Sequence, residues 1–245
     1  MLDLIKFKIY TFAFWVLYIP VRVGLRIVYG KERRDKLILQ GRFPLYHKLK
    51  EIQYSLLWSS AKFGNFKWEL NVSDLLKSIK GELFIDIGAS VGYYTLLLAS
   101  NFDEVLAIEP EPKSANKLRQ NTEHLNNIRV IEEAVSNVDG ETTLYVSPTI
   151  GWHTITPQNT APYEPTKIKT CTLKTILGDR TASLVKVDTE GAELKILDGA
   201  PANKVRAWLI EAHGGESRKR ELEARLTGYG YESVWITDTH IYAHS

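Results

Sequence analysis

Phe84-Ile85-Asp86-Ile87-Gly88-Ala89-Ser90-Val91-Gly92-Tyr93-Tyr94-Thr95 is the stretch from which the fold is read. Leu83 to Ile87 predicts a short buried strand and Tyr93 to Ser100 the helix after it, so the glycines fall in the turn between them. A strand, turn and helix of this kind belong to an open α/β sheet, which binds ligands at the carboxyl ends of its strands.

Outward from this unit the same alternation continues. Val105 to Glu109 predicts a second strand, Lys113 to Asn126 a helix with Leu118 and Leu125 inward, and Ile128 to Glu133 a third strand. Leu184 to Asp188 is a further buried strand with a helix running to about Gly199, and Ala207 to His213 a fifth strand followed by a helix from Glu216 to Leu226. Repeated alternation implies a parallel sheet with helices on both faces. Tyr231 to Ile236 and His240 to Ala243 form a hairpin across Thr237-Asp238-Thr239, which adds an antiparallel strand at the end of the chain.

The glycine spacing narrows the ligand. A dinucleotide fingerprint places glycines two and then three residues apart so that backbone can approach a pyrophosphate; here Ala89 follows Gly88, and the next glycine is Gly92. Asp86 also sits at the strand end, where a carboxylate repels phosphate and attracts an ammonium or sulfonium cation. The turn Gly88, Ala89, Ser90 and Gly92 therefore suits a cationic, phosphate-free nucleoside, and S-adenosylmethionine is the common cofactor of that description. Glu109, 23 positions after Asp86, stands where a ribose-binding acid belongs, because one carboxylate accepts from both ribose hydroxyls. Glu133, with Ala134, ends the third strand and either meets the adenine or is a solvated strand-end acid.

Candidates for acceptor chemistry lie further on. Ser147 to Pro165, between strands Glu141–Val146 and Lys167–Leu173, contains Pro148, Gly151, Pro157, Pro162 and Pro165 and is a long loop. Trp152 and His153 make it a candidate acceptor lid; a plain surface loop is the alternative. In Val185-Lys186-Val187-Asp188-Thr189-Glu190-Gly191-Ala192-Glu193, alternation puts Lys186, Asp188 and Glu190 on one side, with Asp188 at the ligand end and also placed to cap the next helix. Glu211 and His213, two apart, project the same way as an acid-base pair. The expected general base is His213, oriented by Glu211, or else Asp188, with Glu190 facing the acceptor. Asp188, Glu190, Glu211 and His213 could also converge on a metal, but no spacing is diagnostic, and none is assigned.

Composition sets the remaining bounds. The 245 residues are 44% hydrophobic and 24% charged, an ordinary globular balance. Cys171 is the lone cysteine, which rules out an internal disulfide and points to a reducing, cytoplasmic setting. The net charge of +2 argues against nucleic acid as a partner. Seven basic residues against two acids crowd the first 34 positions, around the uncharged run from Ile9 to Val21. That run is too short to span a bilayer and carries Pro20; it either lies at a membrane surface, making the protein peripheral there, or docks on the catalytic domain. Leu45 to Lys62 has helical spacing, and Ser73 reads as the N-cap of a short helix through Ile79. The expected division is a helical extension over 1–75 and an α/β domain over 76–245.

Four segments together resemble the FkbM family of S-adenosylmethionine-dependent methyltransferases. They are Phe84 to Thr95, Ala107-Ile-Glu-Pro-Glu-Pro112, Val185 to Leu194 and Leu209-Ile-Glu-Ala-His213. The turn at Asp188 to Glu193, with Leu197-Asp-Gly-Ala200, is the most particular to that family, and the resemblance spans about residues 80–245. It implies a Rossmann-like, seven-stranded, mostly parallel sheet with a reversed last strand, and O-methylation of a hydroxyl on a sugar, glycan, glycolipid or similar metabolite. The first 75 residues lie outside it. From other classes, a non-catalytic membrane-associated nucleoside-binding module and an NAD-dependent oxidoreductase are the alternatives, the latter disfavoured by the glycine spacing.

Overall fold

The computed structural model describes residues 70–147, 153–155 and 164–245. Helix α1 (Leu70–Ser78) leads into strand β1 (Gly81–Ile87), followed by α2 (Tyr93–Leu98), β2 (Phe102–Ile108), α3 (Pro112–Thr122) and β3 (Ile128–Ile131). Three strands, β4 (Ala134–Ser136), β5 (Gly140–Val146) and β6 (Glu164–Thr172), and the short α4 (Leu173–Leu177) come next. The chain closes with β7 (Leu184–Val187), α5 (Glu193–Asp198), β8 (Ala207–Glu211), α6 (Gly215–Gly228), β9 (Glu232–Trp235) and β10 (His240–His244).

Seven strands form the main sheet in the order β3-β2-β1-β7-β8-β10-β9. The first five run parallel, and β10, inserted between β8 and β9, is antiparallel to both. The expected seven-stranded sheet with a reversed last strand is therefore present. The order reverses at β1, whose neighbours are β2 and β7, so the carboxyl ends of these strands flank a crevice.

Period-two alternation divides the core between the two faces. Phe84, Val105, Leu184 and Leu209 pack with Val72 and Leu76 of α1 and with Tyr94 and Leu98 of α2. Ile85, Leu106, Val185, Trp208 and Ile210 point the other way, against α4, α5 and α6. Trp208 is fully buried and meets the Tyr231 ring edge-on at 6.5 Å. Burying each such side chain contributes about 1.5–3 kcal/mol, which is why strands this short hold their register.

Local expectations differ from the structure at four places. Ser73 is a fully buried residue inside α1 rather than an N-cap, because Val72 and Leu76 turn that helix onto the sheet. Consequently α1 crosses the expected boundary at residue 75. The third strand stops at Ile131, and Ala134–Ser136 leaves to pair with β6 in a separate sheet of order β4-β6-β5. Strand β6 starts at Glu164, earlier than expected; Pro165 is tolerated because β4 joins β6 only from Thr170 onward. It ends at Thr172, whose hydroxyl caps α4 by accepting from the Thr175 N–H.

The Ile9–Val21 and Leu45–Lys62 segments lie outside the described residues. Among the described residues no helix is long and apolar enough to cross a membrane.

Candidate functional site

A cavity of about 270 Å³ opens where β1, β2, β7 and β8 end. Gly88 makes the turn after β1 possible. Its φ is +77°, and a Cβ there would lie 1.9 Å from the Asp188 carbonyl oxygen, so the turn presses against the exit of β7 with no room for a side chain. Ser90 adopts φ +51°, a left-handed conformation that costs a non-glycine residue free energy. What holds it is Glu109: the Ser90 N–H donates to Oε2 and the Glu111 N–H to Oε1, each at 2.9 Å.

Glu109 is 5% exposed. Burial pushes its carboxyl up to about 7 despite the two backbone donors. Each oxygen keeps a further lone pair for a ligand hydroxyl. Glu111 serves a different purpose, capping α3 by accepting from the Lys113 and Ser114 N–H groups. Its carboxyl is partly buried, which alone would raise it, but those donors bring it below the ordinary value.

Asp86, 1% exposed, accepts from the Thr95 hydroxyl at 2.6 Å and lies 3.6 Å from the Lys186 ammonium. Burial raises its carboxyl above the usual range, although Lys186 and Thr95 oppose that. Lys186 sits inside β7, 3.0 Å from Asp188 Oδ2 and 4.7 Å from the centre of the Tyr94 ring. Burial disfavours its charge, and Asp188 and Asp86 more than restore it, so the ammonium is held charged well above its ordinary range. Burial would likewise raise Asp188, but the Lys186 charge prevails and takes that carboxyl down to about 2.

Across the cavity, His213 is seated by Glu193, a fully buried residue at the start of α5. Glu193 Oε1 lies 3.1 Å from His213 Nδ1 and also accepts the Gly191 N–H at 2.9 Å. His213 Nε2 lies 3.7 Å from Glu190 and 3.9 Å from Glu211. Burial opposes a charged ring, yet Glu193, Glu190 and Glu211 push its pKa up to about 10. Thr154 anchors the loop segment to this turn, its hydroxyl donating to the Glu190 carbonyl at 2.6 Å.

The expected site residues Asp86, Gly88, Ala89, Ser90, Glu109, Glu133, His153, Asp188, Glu190, Glu211 and His213 all line this cavity. Gly92 does not: with φ +97° it caps α2, and a Cβ there would meet Leu118 at 2.7 Å, so it serves packing. Trp152 lies outside the described residues. His153 is held by the Ser147 N–H, which donates to Nδ1 at 3.1 Å. The helix-capping alternative for Asp188 is not realised, since α5 starts after Ala192 without a side-chain cap.

Two participants were missed as site residues. A lysine in an otherwise apolar strand is a sequence signal for buried carboxylates, and Lys186 could have been singled out on that ground. No spacing rule identified Glu193, which takes the orienting role expected of Glu211.

The cavity fits the nucleoside inferred from the sequence. Glu109 retains acceptor capacity for two hydroxyls, Ala134, Val135 and Leu144 give apolar surface beside Glu133, and the many carboxylates favour a cationic ligand.

Residues 86–233 match the family model for the methyltransferase FkbM domain. Among solved structures, the chain is similar to an FkbM methyltransferase from Methylobacillus flagellatus KT, with 16% identity and a TM-score of 0.49; the match covers 80% of this chain and 55% of that one. It is also similar to precorrin-6y C5,15-methyltransferase from Geobacter metallireducens GS-15, at 13% identity and a TM-score of 0.46 over 74% of this chain and 92% of that one. TrmK of M. capricolum, solved with S-adenosyl-homocysteine, shares 13% identity at a TM-score of 0.44, covering 73% of this chain and 68% of that one. No curated protein matches the chain. The matched span includes both signature turns and every described strand end around the cavity, and the chain belongs to the FkbM family of methyltransferases, with S-adenosylmethionine as its methyl donor.

Proposed function

We propose that this methyltransferase transfers the methyl group to a hydroxyl of a sugar, glycan, glycolipid or similar metabolite. The observation that carries this reading is the cluster of Asp188, Glu190, Glu211 and His213 at one end of the donor cavity. When bound, S-adenosylmethionine supplies an electrophilic methyl carbon on a sulfonium. An alcohol attacking that carbon must lose its proton: the O–H bond breaks, the oxygen pair forms the new C–O bond, and the C–S pair stays on sulfur.

Asp86 and Gly88 are assigned to the methionine part of the donor, Glu109 to the ribose and Glu133 to the adenine end. Lys186 offsets the negative charge of Asp86 and Asp188 and so fixes the shape and potential between donor and acceptor. Asp188, tied to Lys186, is a weak proton acceptor. His213 in its neutral form is the stronger one, because Glu193, Glu190 and Glu211 stabilise the imidazolium that results. His153, and Trp152 beside it in sequence, are assigned to acceptor binding, and the basic, aromatic N-terminus to peripheral membrane contact.

Comparing methylated products in lipid and glycan extracts of cells with and without the protein tests the acceptor class. A new O-methyl ether that depends on the protein supports the reading; methylation confined to nitrogen or carbon overturns it. In purified enzyme, full turnover by both His213→Ala and Asp188→Asn would remove the cluster from the reaction.

A further inference from the structure

Asp188, Glu211 and His213 come from the carboxyl ends of adjacent strands β7 and β8. The fold brings one ligand atom from each within 4.8 Å of the others, a convergence the sequence spacing gave no reason to assign. His213 Nε2 itself stands 3.7 Å from Glu190 Oε2 and 3.9 Å from Glu211 Oε1, beyond hydrogen-bond distance of either. Neighbouring ligands of a hexacoordinate divalent ion with bonds near 2.1 Å lie about 3 Å apart, so a modest inward movement brings these three side chains to ligand spacing, with water filling the other positions.

A second observation concerns the orientation of the ring. The 3.1 Å contact with Glu193 Oε1 turns His213 Nδ1 away from the cluster. Nε2 therefore faces Glu190 and Glu211. A histidine held through its other nitrogen by a buried carboxylate is the arrangement that orients metal-ligating imidazoles. Glu193 is fully buried, and among the described residues its Oε2 has no hydrogen-bond partner. Such a carboxylate is stabilised by positive charge on the ring it holds, whether from a proton or from a cation at Nε2.

We propose that Asp188, Glu211 and His213 form a divalent cation site, with Glu190 at its edge and Glu193 as the positioning residue behind His213. Two carboxylates and one imidazole suit a first-row ion of intermediate hardness such as Mn²⁺. The inference rests on the methyl-transfer reading for its purpose: the ion orients the acceptor hydroxyl and lowers its pKa, so that the proton leaves to water while the oxygen attacks the methyl carbon. His213 then acts as a ligand.

The test is binding of Mn²⁺ alone to the full-length protein, read from the loss of the free-ion electron paramagnetic resonance signal, with S-adenosylhomocysteine calorimetry on the same preparations. One ion per chain with micromolar affinity is expected. Glu211→Gln and His213→Ala should each weaken it by more than about tenfold, and Glu193→Gln by about 10- to 100-fold, while S-adenosylhomocysteine binding stays within about threefold. No Mn²⁺ binding by the wild type up to millimolar concentration overturns the proposal, as does binding that none of the three substitutions changes. Intact S-adenosylhomocysteine binding in such a result leaves the donor site standing, whereas its loss in the wild type refutes the donor reading instead.

Discussion

Replacing Glu109 with glutamine separates two effects that the fold ties together. The carboxyl is buried and raised from 4.5 to about 7. A group raised in the folded state contributes stability that is fully present below its unfolded value and is lost as pH rises through its folded value. Over this interval the loss is about 3 kcal/mol, at 1.36 kcal/mol per unit. Glutamine has no such titration, but its amide nitrogen faces one of the two N–H donors, from Ser90 and Glu111, and forfeits about 1 kcal/mol. Urea unfolding should therefore find Glu109→Gln less stable than wild type near pH 4 and more stable near pH 8.5, with the two curves crossing near pH 5.

Donor binding should show the opposite slope. Ribose hydroxyls donate to the ionised carboxylate, so wild-type affinity for S-adenosylhomocysteine should weaken about tenfold for each pH unit below about 7. In Glu109→Gln it should be weak and flat with pH. A wild-type affinity that does not change between about pH 5.5 and 8, or a variant that binds as tightly as wild type, would refute the assignment of Glu109 to the ribose.

Other substitutions test separate parts of the account. Gly88→Ala sets a Cβ against the Asp188 carbonyl at a positive φ, and either abolishes folding or costs more than about 3 kcal/mol by chemical denaturation; a loss under about 1 kcal/mol would show that the turn is not pressed against β7. Lys186→Met leaves Asp86 and Asp188 without their shared cation and should cost about 3–5 kcal/mol at neutral pH. Because Asp86 is already raised by burial, the variant should regain stability on acidification as that carboxyl takes up a proton; a penalty unchanged down to about pH 4.5 would contradict this. Trp208→Ala, emptying a fully buried position, should lower stability by about 3–5 kcal/mol while leaving the cavity residues in place, checked by urea unfolding alongside S-adenosylhomocysteine binding.

Strand and helix alternation was legible from the sequence because the central strands of the main sheet carry apolar runs, as in Leu184-Val185 and Trp208-Leu209-Ile210. The donor turn was read from Asp86, Gly88 and Glu109, whose spacing is set by local geometry, whereas the seven-stranded sheet with its reversed last strand was implied by the family resemblance. Contacts between distant segments were not legible. The departure of Ala134–Ser136 into a second sheet depends on β6, more than 25 residues later, and the seating of His213 by Glu193 depends on how α5 packs against the end of β8. Glu211 was the natural partner on sequence grounds because it lies two residues from His213. In the structure the strand ends at Glu211, and Glu193 makes the shorter contact.

The central claim is that the crevice at the ends of β1, β2 and β7 holds S-adenosylmethionine. Isothermal titration of the wild-type protein with S-adenosylhomocysteine, and separately with NAD, tests it most directly. The account predicts one S-adenosylhomocysteine per chain at micromolar affinity, abolished by Glu109→Ala, and no heat with NAD. Binding of NAD in place of S-adenosylhomocysteine, or of neither, would contradict it.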